Sequence, residues 1–466
     1  MSSTLTVKSP YDGSTIGEVR LSTEQEIEAA LIGAAELFRN RKTWLPTQER
    51  VGILRRASAI VSKRRLALAR QAAQEGGKPI RDSLVEVDRA ADGLLSCAEE
   101  LRDSAGHVIP MGLNVTSANR IAFTQKEPIG VVVGISAFNH PFNLVAHQVG
   151  PAVAVGAPVI VKPALQTPLS CLAFLEIMYE AGLPREWARM VLPPSNELAA
   201  RLAADARLGF VSFIGSAAVG WKLRANLAPG VRCALEHGGI APVIVSEDAD
   251  LDAAAKRLAR AAFWHAGQAC VSVQRIFCHE RVAVEFADRL RDAATRLRVG
   301  EPLDETTDVG PLISSLACDR VDAWVQAAVS AGARLLCGGQ RLSDTTYANT
   351  VLFEPPADAA VSTQEVFGPV VSVYSVASTQ EAIDRANASR FAFQAAVFTR
   401  NLDTAMTCFQ GLNGSAVMVN EHTLFRVDWM PFAGLRESGL GVGGMRYSMR
   451  DMQVEKMLVW RSQAIQ

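Results

Sequence analysis

Net charge is what this chain has least of: 47 lysines and arginines stand against 48 aspartates and glutamates. A nucleic acid or an anionic membrane surface needs a basic excess to hold it, so neither is an expected partner, and any anion must be recognised locally. Long apolar runs are also missing. None approaches the ~18 residues that a membrane-crossing helix needs. The opening stretch from Met1 to Lys8 is polar and has no secretory leader pattern, so a cytoplasmic protein is expected. The eight cysteines, at positions 97, 171, 233, 270, 278, 318, 337 and 408, include no C-x-x-C pair. That spacing argues against a disulfide framework and against zinc, and no metal site is expected. Tandem repeats, low-complexity tracts and long linkers are absent, so domain boundaries must fall in short turns.

What is present is apolar material for large cores, 49% of 466 residues, enough for two or three domains. After an irregular S-P-Y-D-G-S turn, helical spacing covers Glu24 to Phe38 and Glu49 to Gln71, and a third helix carries Arg89. By default that arginine is a solvated helix-face residue. Residues 110–128 alternate like an extended strand. The run I-G-V-V-V-G-I-S-A-F that follows is continuous and β-branched, as in a parallel strand buried on both faces. Strands and helices then alternate through A-P-V-I-V-K-P and L-G-F-V-S-F-I-G, which predicts a doubly wound α/β sheet. After Gly239 a second α/β unit begins, with a helix expected from Asp250 to His265.

Several residues in this pattern could carry chemistry. Lys162 closes a strand at the end where open α/β sheets bind ligands, and suits a ribose or phosphate contact or a snorkelling surface position. Gly215-Ser216, in F-I-G-S-A-A-V-G, opens a helix whose free amides suit a pyrophosphate, although a plain strand-helix turn looks the same. Glu236, in L-E-H-G-G, and Cys270, in G-Q-A-C, lie on either side of the helix after Gly239. A thiol can attack a carbonyl and a carboxylate can activate the water that releases the product. His237, next to Glu236, is either a tuning residue or a packed one. The other cysteines read as small buried hydrophobes.

With N-H-P, V-I-V-K-P, F-I-G-S-x-x-V-G, L-E-H-G-G, G-Q-x-C, E-V-F-G-P and P-F-x-G-x-x-x-S-G in this order, the chain resembles the aldehyde dehydrogenase superfamily from near its start to its last residues. The resemblance implies a Rossmann-type NAD(P)-binding domain (1–109 and 129–238), a second α/β catalytic domain (239–437), and an oligomerisation β-arm (110–128 and 438–466) in a homodimer or homotetramer. It makes Cys270 the nucleophile, Asn139 with the Cys270 amide the oxyanion hole, and Glu236 the base that hydrolyses the thioester. It gives Lys162 the adenosine ribose, Gly215 and Ser216 the pyrophosphate, Glu365 the nicotinamide ribose, and Phe367 the nicotinamide pocket. NAD is expected, with NADP possible, because Leu165 replaces a glutamate that binds the ribose hydroxyls in many NAD-preferring members.

Arg89, His140 and Arg426 stand where branches acting on neutral aldehydes have apolar residues. Two guanidiniums and an imidazole are costly to bury without an anion, so an anionic aldehyde is expected. The surrounding motifs, including F-R-V-D-W-M-P-F-A-G, are most similar to the phosphonoacetaldehyde dehydrogenases, which yield phosphonoacetate. Sulfoacetaldehyde, sulfolactaldehyde, lactaldehyde and glyceraldehyde-3-phosphate are alternatives, the last weakened by Ala269 in place of an arginine. A non-catalytic nucleotide-binding relative would have lost Cys270, Glu236 or Asn139, and all three are present.

Overall fold

The structure is a computed structural model that describes residues 3–465. Two parallel-stranded sheets dominate it. The first is six-stranded, in spatial order Gly439–Leu440, Arg232–Glu236, Leu208–Ile214, Val131–Ile135, Val159–Lys162, Ala188–Met190. All its pairings are parallel except the edge strand Gly439–Leu440, which runs antiparallel to Arg232–Glu236. Every residue of Val131–Ile135 is buried, and alternate side chains leave the sheet on opposite faces. Val132, Val159, Val161 and Phe210 join one core, whereas Val131, Val133, Ile160 and Val211 join another. That is why the sequence reads as an unbroken apolar run.

Strand order reverses between Val131–Ile135 and Leu208–Ile214, and such a switch point opens a crevice beyond the strand ends. The fully buried Gln148, on the helix Asn143–Val155, bridges the two strands there. Its amide donates to the Ile135 carbonyl at 3.0 Å and the Ser212 carbonyl at 3.2 Å. The second sheet is seven-stranded, in order Arg334–Cys337, Thr350–Phe353, Val370–Val376, Arg275–His279, Pro242–Val245, Gln394–Phe398, Ala416–Val419. It has its own core, built on Val243, Phe263, Ile276 and Val373.

The helical expectations hold with shifted ends. Glu49 to Gln71 divides into Thr47–Lys63 and Arg65–Gly76, and the opening turn joins an antiparallel hairpin, Thr4–Lys8 with Thr15–Arg20. The expected helix to His265 stops at Phe263, because His265, Ala266 and Gly267 all take left-handed backbone (φ 49°, 54° and 72°). Helical spacing extrapolates through that corner, since a helix pattern carries no mark of a left-handed turn.

The segment 438–466 divides as well. Gly439–Leu440 completes the six-stranded sheet, and Met445, Met449 and Met452 pack into its core. Gln453–Arg461 then pairs antiparallel along the whole of Arg120–Pro128, with Val108–Ile109 on the far edge. Among the described residues no helix is long and apolar enough to cross a membrane.

Candidate active site

One cavity of about 980 Å³ lies where the two sheets meet, and Arg89, Asn139, His140, Lys162, Gly215, Ser216, Glu236, Cys270, Glu365, Phe367 and Arg426 all line it. Eleven positions spread over the chain thus share one surface.

The nucleophile candidate sits just after the left-handed corner. Gly267 is obligatory there, since a Cβ would come within 2.0 Å of the Gly368 carbonyl oxygen. Strained backbone at non-glycine His265 and Ala266 is typical of a turn whose direction matters. The Gln268 side chain locks it, donating to the carbonyls of His265 and Pro311 at 3.1 Å each and accepting from the Ile313 amide at 2.9 Å. Cys270 emerges with Sγ 3.7 Å from Glu236 Oε1, to which the thiol donates. Burial and the neighbouring Glu236 push the thiol well above the ordinary cysteine range. Burial raises Glu236 too, so this carboxylate is a stronger base than an exposed one. Asn139 is buried, and its Nδ2 donates to the Gln268 carbonyl at 3.0 Å.

On the crevice side, Lys162 has its ammonium depressed by burial, and Leu165 lines the cavity nearby. The Gly215 amide is already committed to the Glu236 carbonyl at 3.0 Å, so Gly215 offers no donor, and a Cβ there would come within 2.8 Å of the Phe213 ring. Free amides come one residue later, at the start of the helix Ala217–Ala225 that Ser216 precedes. His237 is packed, with its ring between Phe213 and Trp221 and Nδ1 2.9 Å from the Gly215 carbonyl oxygen. Phe367 holds a positive φ of 45° and meets Phe138 edge to face.

Glu365 tests whether these residues suit a dinucleotide. Its Oε1 is buried without a hydrogen-bond partner, and burial raises its pKa to about 8. A Cβ on Gly238 would fall 1.4 Å from that oxygen. A carboxyl held against a glycine and left unsatisfied suits the hydroxyls of a ribose, so the residues fit NAD(P).

On the anion side, Arg89, His140 and Arg426 are not equivalent. Arg89 donates from Nε to Asp428 Oδ2 at 3.1 Å and from Nη2 to Oδ1 at 2.6 Å. His147 meets the same Oδ1 at 2.9 Å. Burial opposes ionisation of Asp428, but His147 and Arg89 outweigh it and hold the carboxyl far below its usual range. His140 stacks on Trp264 at 5.2 Å, and burial with nearby cations drives it to the neutral form. Arg426 lies with its guanidinium carbon 3.6 Å from the Phe432 ring centroid, and its Nε is buried and unpartnered. Its approach to Asp428 is only 3.6 Å. Asp428 and His147 were not singled out in the sequence; the D of F-R-V-D-W-M-P, two residues after Arg426, was the available signal.

A cysteine facing a carboxylate, beside a crevice suited to a dinucleotide, is the arrangement of an oxidoreductase. The chain belongs to the aldehyde dehydrogenase family, whose profile matches residues 1–458, and it is an NAD(P)-dependent enzyme. It is 37% identical over 454 residues to the 3-sulfolactaldehyde dehydrogenase of Priestia aryabhattai, covering 97% of this chain and 94% of that one. Aldehyde dehydrogenase 21 of Physcomitrella patens, solved with the reaction product succinate, superposes with a TM-score of 0.94 at 34% identity over 99% of this chain and 95% of that one. The glyceraldehyde-3-phosphate dehydrogenase GapN of Methanocaldococcus jannaschii, complexed with NADP, gives 0.93 at 32% identity over 99% and 100%.

Proposed function

We propose that the enzyme oxidises a short aldehyde whose far end carries an anionic group. Arg426 is the observation that carries this reading: a buried cation on the cavity wall whose Nε makes no hydrogen bond, and whose neighbour Asp428, 3.6 Å away, is already bonded to Arg89 and His147. A buried cation of this kind is costly until an anion meets it. Phosphonoacetaldehyde is one such substrate and is the one the motifs favour. Asp428 supports a second, singly charged class. By pairing Arg89 it leaves roughly one net positive charge, which matches a sulfonate or carboxylate better than a dianion. The names of the sulfolactaldehyde relative and of the succinate-bound neighbour fit that class.

In this reading the six-stranded half binds the cofactor and the seven-stranded half carries the nucleophile. Glu236 takes the Cys270 proton across their 3.7 Å contact, and the thiolate attacks the aldehyde carbon. The developing alkoxide is met by Asn139 Nδ2 and the Cys270 amide, a contribution of ~3 to 4 kcal/mol in comparable sites. NAD(P), when bound, would supply the hydride acceptor, and Lys162 and Glu365 would hold its riboses and Ser216 its pyrophosphate. Glu236 first passes the thiol's proton to solvent and, again a carboxylate, takes a proton from the water that attacks the thioester, releasing the carboxylate product and the Cys270 thiolate. The sheet formed by Arg120–Pro128 and Gln453–Arg461 leaves Phe123, Met457 and Trp460 exposed, a surface suited to joining subunits into a homodimer or homotetramer.

Initial rates with phosphonoacetaldehyde, sulfoacetaldehyde, 3-sulfolactaldehyde and lactaldehyde, each with NAD and NADP, test the proposal. An anionic aldehyde should exceed lactaldehyde by tenfold or more in kcat/KM, about 1.4 kcal/mol. Parity with lactaldehyde sinks the anion reading, and the ratio of phosphonate to sulfonate decides between the two classes.

A further inference from the structure

We propose that Lys78 and Glu86 are a positioning pair that sets the Asn139 amide, an inference that rests on the oxyanion role given to Asn139 above. The two side chains are ion-paired and each 1% exposed. Neither lines the cavity. Lys78 Nζ donates to the Asn139 backbone carbonyl at 3.1 Å. Glu86, with its other oxygen, accepts the amides of Phe142 at 2.9 Å and Asn143 at 3.0 Å. The pair therefore grips both ends of the N-H-P-F-N turn, while Gln268 in the nucleophile turn holds the Asn139 side chain at 3.0 Å. Lys78 also lies 5.4 Å from the centroid of Trp264, the ring that stacks on His140.

Burying two charges is costly, and a well-packed apolar pair serves stability at least as well. What an apolar pair cannot do is hold a carbonyl from one side and two amides from the other. Oxyanion donors must be fixed before charge develops, and this clamp fixes one.

The test is Lys78→Met combined with Glu86→Gln, which removes both charges together and keeps their volume, placed in wild-type and Asn139→Ala backgrounds. Single-turnover NADH bursts and steady-state constants are measured on samples normalised for reactive Cys270. In the wild-type background the burst rate and kcat should fall about tenfold or more, with KM changed less than about twofold. In the Asn139→Ala background the same pair should cost less than about twofold, because contributions made through one group do not add. A full loss persisting without the Asn139 amide overturns the proposal, as does a loss explained wholly by fewer reactive thiols. A wild-type burst rate in Asn139→Ala alone overturns the oxyanion reading itself, and the positioning role with it. Should the double variant not fold, Glu86→Gln alone, which keeps an oxygen for the Phe142 and Asn143 amides, is measured in the same two backgrounds.

Discussion

Asp428 holds Arg89 through two parallel hydrogen bonds, 2.6 and 3.1 Å long, across 339 residues of sequence. Two bonds to one carboxylate fix the guanidinium plane as well as its charge. The protein thus supplies the anion for one of the two arginines that the sequence presents as a matched pair. Arg426 lies 3.6 Å from the same carboxylate without a hydrogen bond to it, and in the proposed reading it is the cation that the substrate meets.

Asp428→Asn should therefore free Arg89 and move preference toward doubly charged substrates. The expected result is a rise of about tenfold in the phosphonoacetaldehyde to sulfoacetaldehyde ratio of kcat/KM, roughly 1.4 kcal/mol. Breaking a buried pair from one side should also cost about 3 to 5 kcal/mol of stability. Asp428 has a depressed folded pKa, so its contribution is present above the unfolded value near ~3.9 and fades as pH falls through the folded one. The gap in Tm between variant and wild type should narrow in acid. An unchanged substrate ratio would remove Asp428 from the selectivity argument.

Arg426→Ala should lose about 1.5 to 3 kcal/mol of transition-state binding for an anionic aldehyde, roughly 10- to 150-fold in kcat/KM. Propanal, measured at the plateau of its pH profile, should be nearly indifferent. Equal losses for both substrates would show that Arg426 serves the thiol or the fold and not the anion.

Alkylation of Cys270 by iodoacetamide should follow an alkaline profile, because burial and then Glu236 raise the thiol. The thiolate fraction grows as pH rises. Glu236→Gln removes a raising charge and should move the profile toward acid, whereas Arg426→Ala removes a lowering charge and should move it further alkaline. Shifts in the same direction would contradict the assignment of these two charges to the thiol's field.

Glu236→Gln should also separate the two halves of the reaction. With the thiol otherwise activated at high pH, the variant should release about one NADH per site in a burst and then turn over at least 100-fold more slowly, since a positioned base contributes ~10²- to 10⁴-fold. Steady turnover without a burst would assign thioester hydrolysis to another base.

Leu165 bears on the cofactor. An apolar side chain near Lys162 neither bonds ribose hydroxyls nor repels a phosphate, so wild-type kcat/KM values for NAD and NADP should lie within about tenfold of each other. Leu165→Glu should favour NAD by a further tenfold or more, through hydrogen bonds to the hydroxyls and repulsion of the phosphate. If the variant keeps the wild-type ratio, Leu165 does not contact the ribose.

Much of this site was legible before the structure. The cofactor and catalytic candidates lie mostly at strand ends or in glycine-marked turns, where local pattern shows both the element and its boundary, whereas Arg89 lies within the helix Ile80–Glu100. Cys270, Glu236 and Asn139 were readable as a set only because their motifs recur together, and the structure brings the three to one cavity. Lys78, Glu86 and His147 are not readable in the sequence, and Asp428 is marked only by its place two residues after Arg426. Each looks like an ordinary helix or loop residue in sequence, because a buried ion pair leaves no periodic signature. In sequence Gly215 resembles a pyrophosphate donor, but its amide is bonded to the strand that ends at Glu236.

The division follows the range of the forces involved. Backbone preferences, the alternation of side chains and the glycines of tight turns act over a few residues. The amino-acid order alone therefore determined a chain of two parallel-sheet units with a thiol, a carboxylate and an amide at their turns. Charge pairing and desolvation act between groups that meet only after folding. Whether Arg89 is free, how strongly Cys270 holds its proton and what fixes Asn139 were decided by tertiary structure, which placed Asp428, Glu236 and Lys78 beside them.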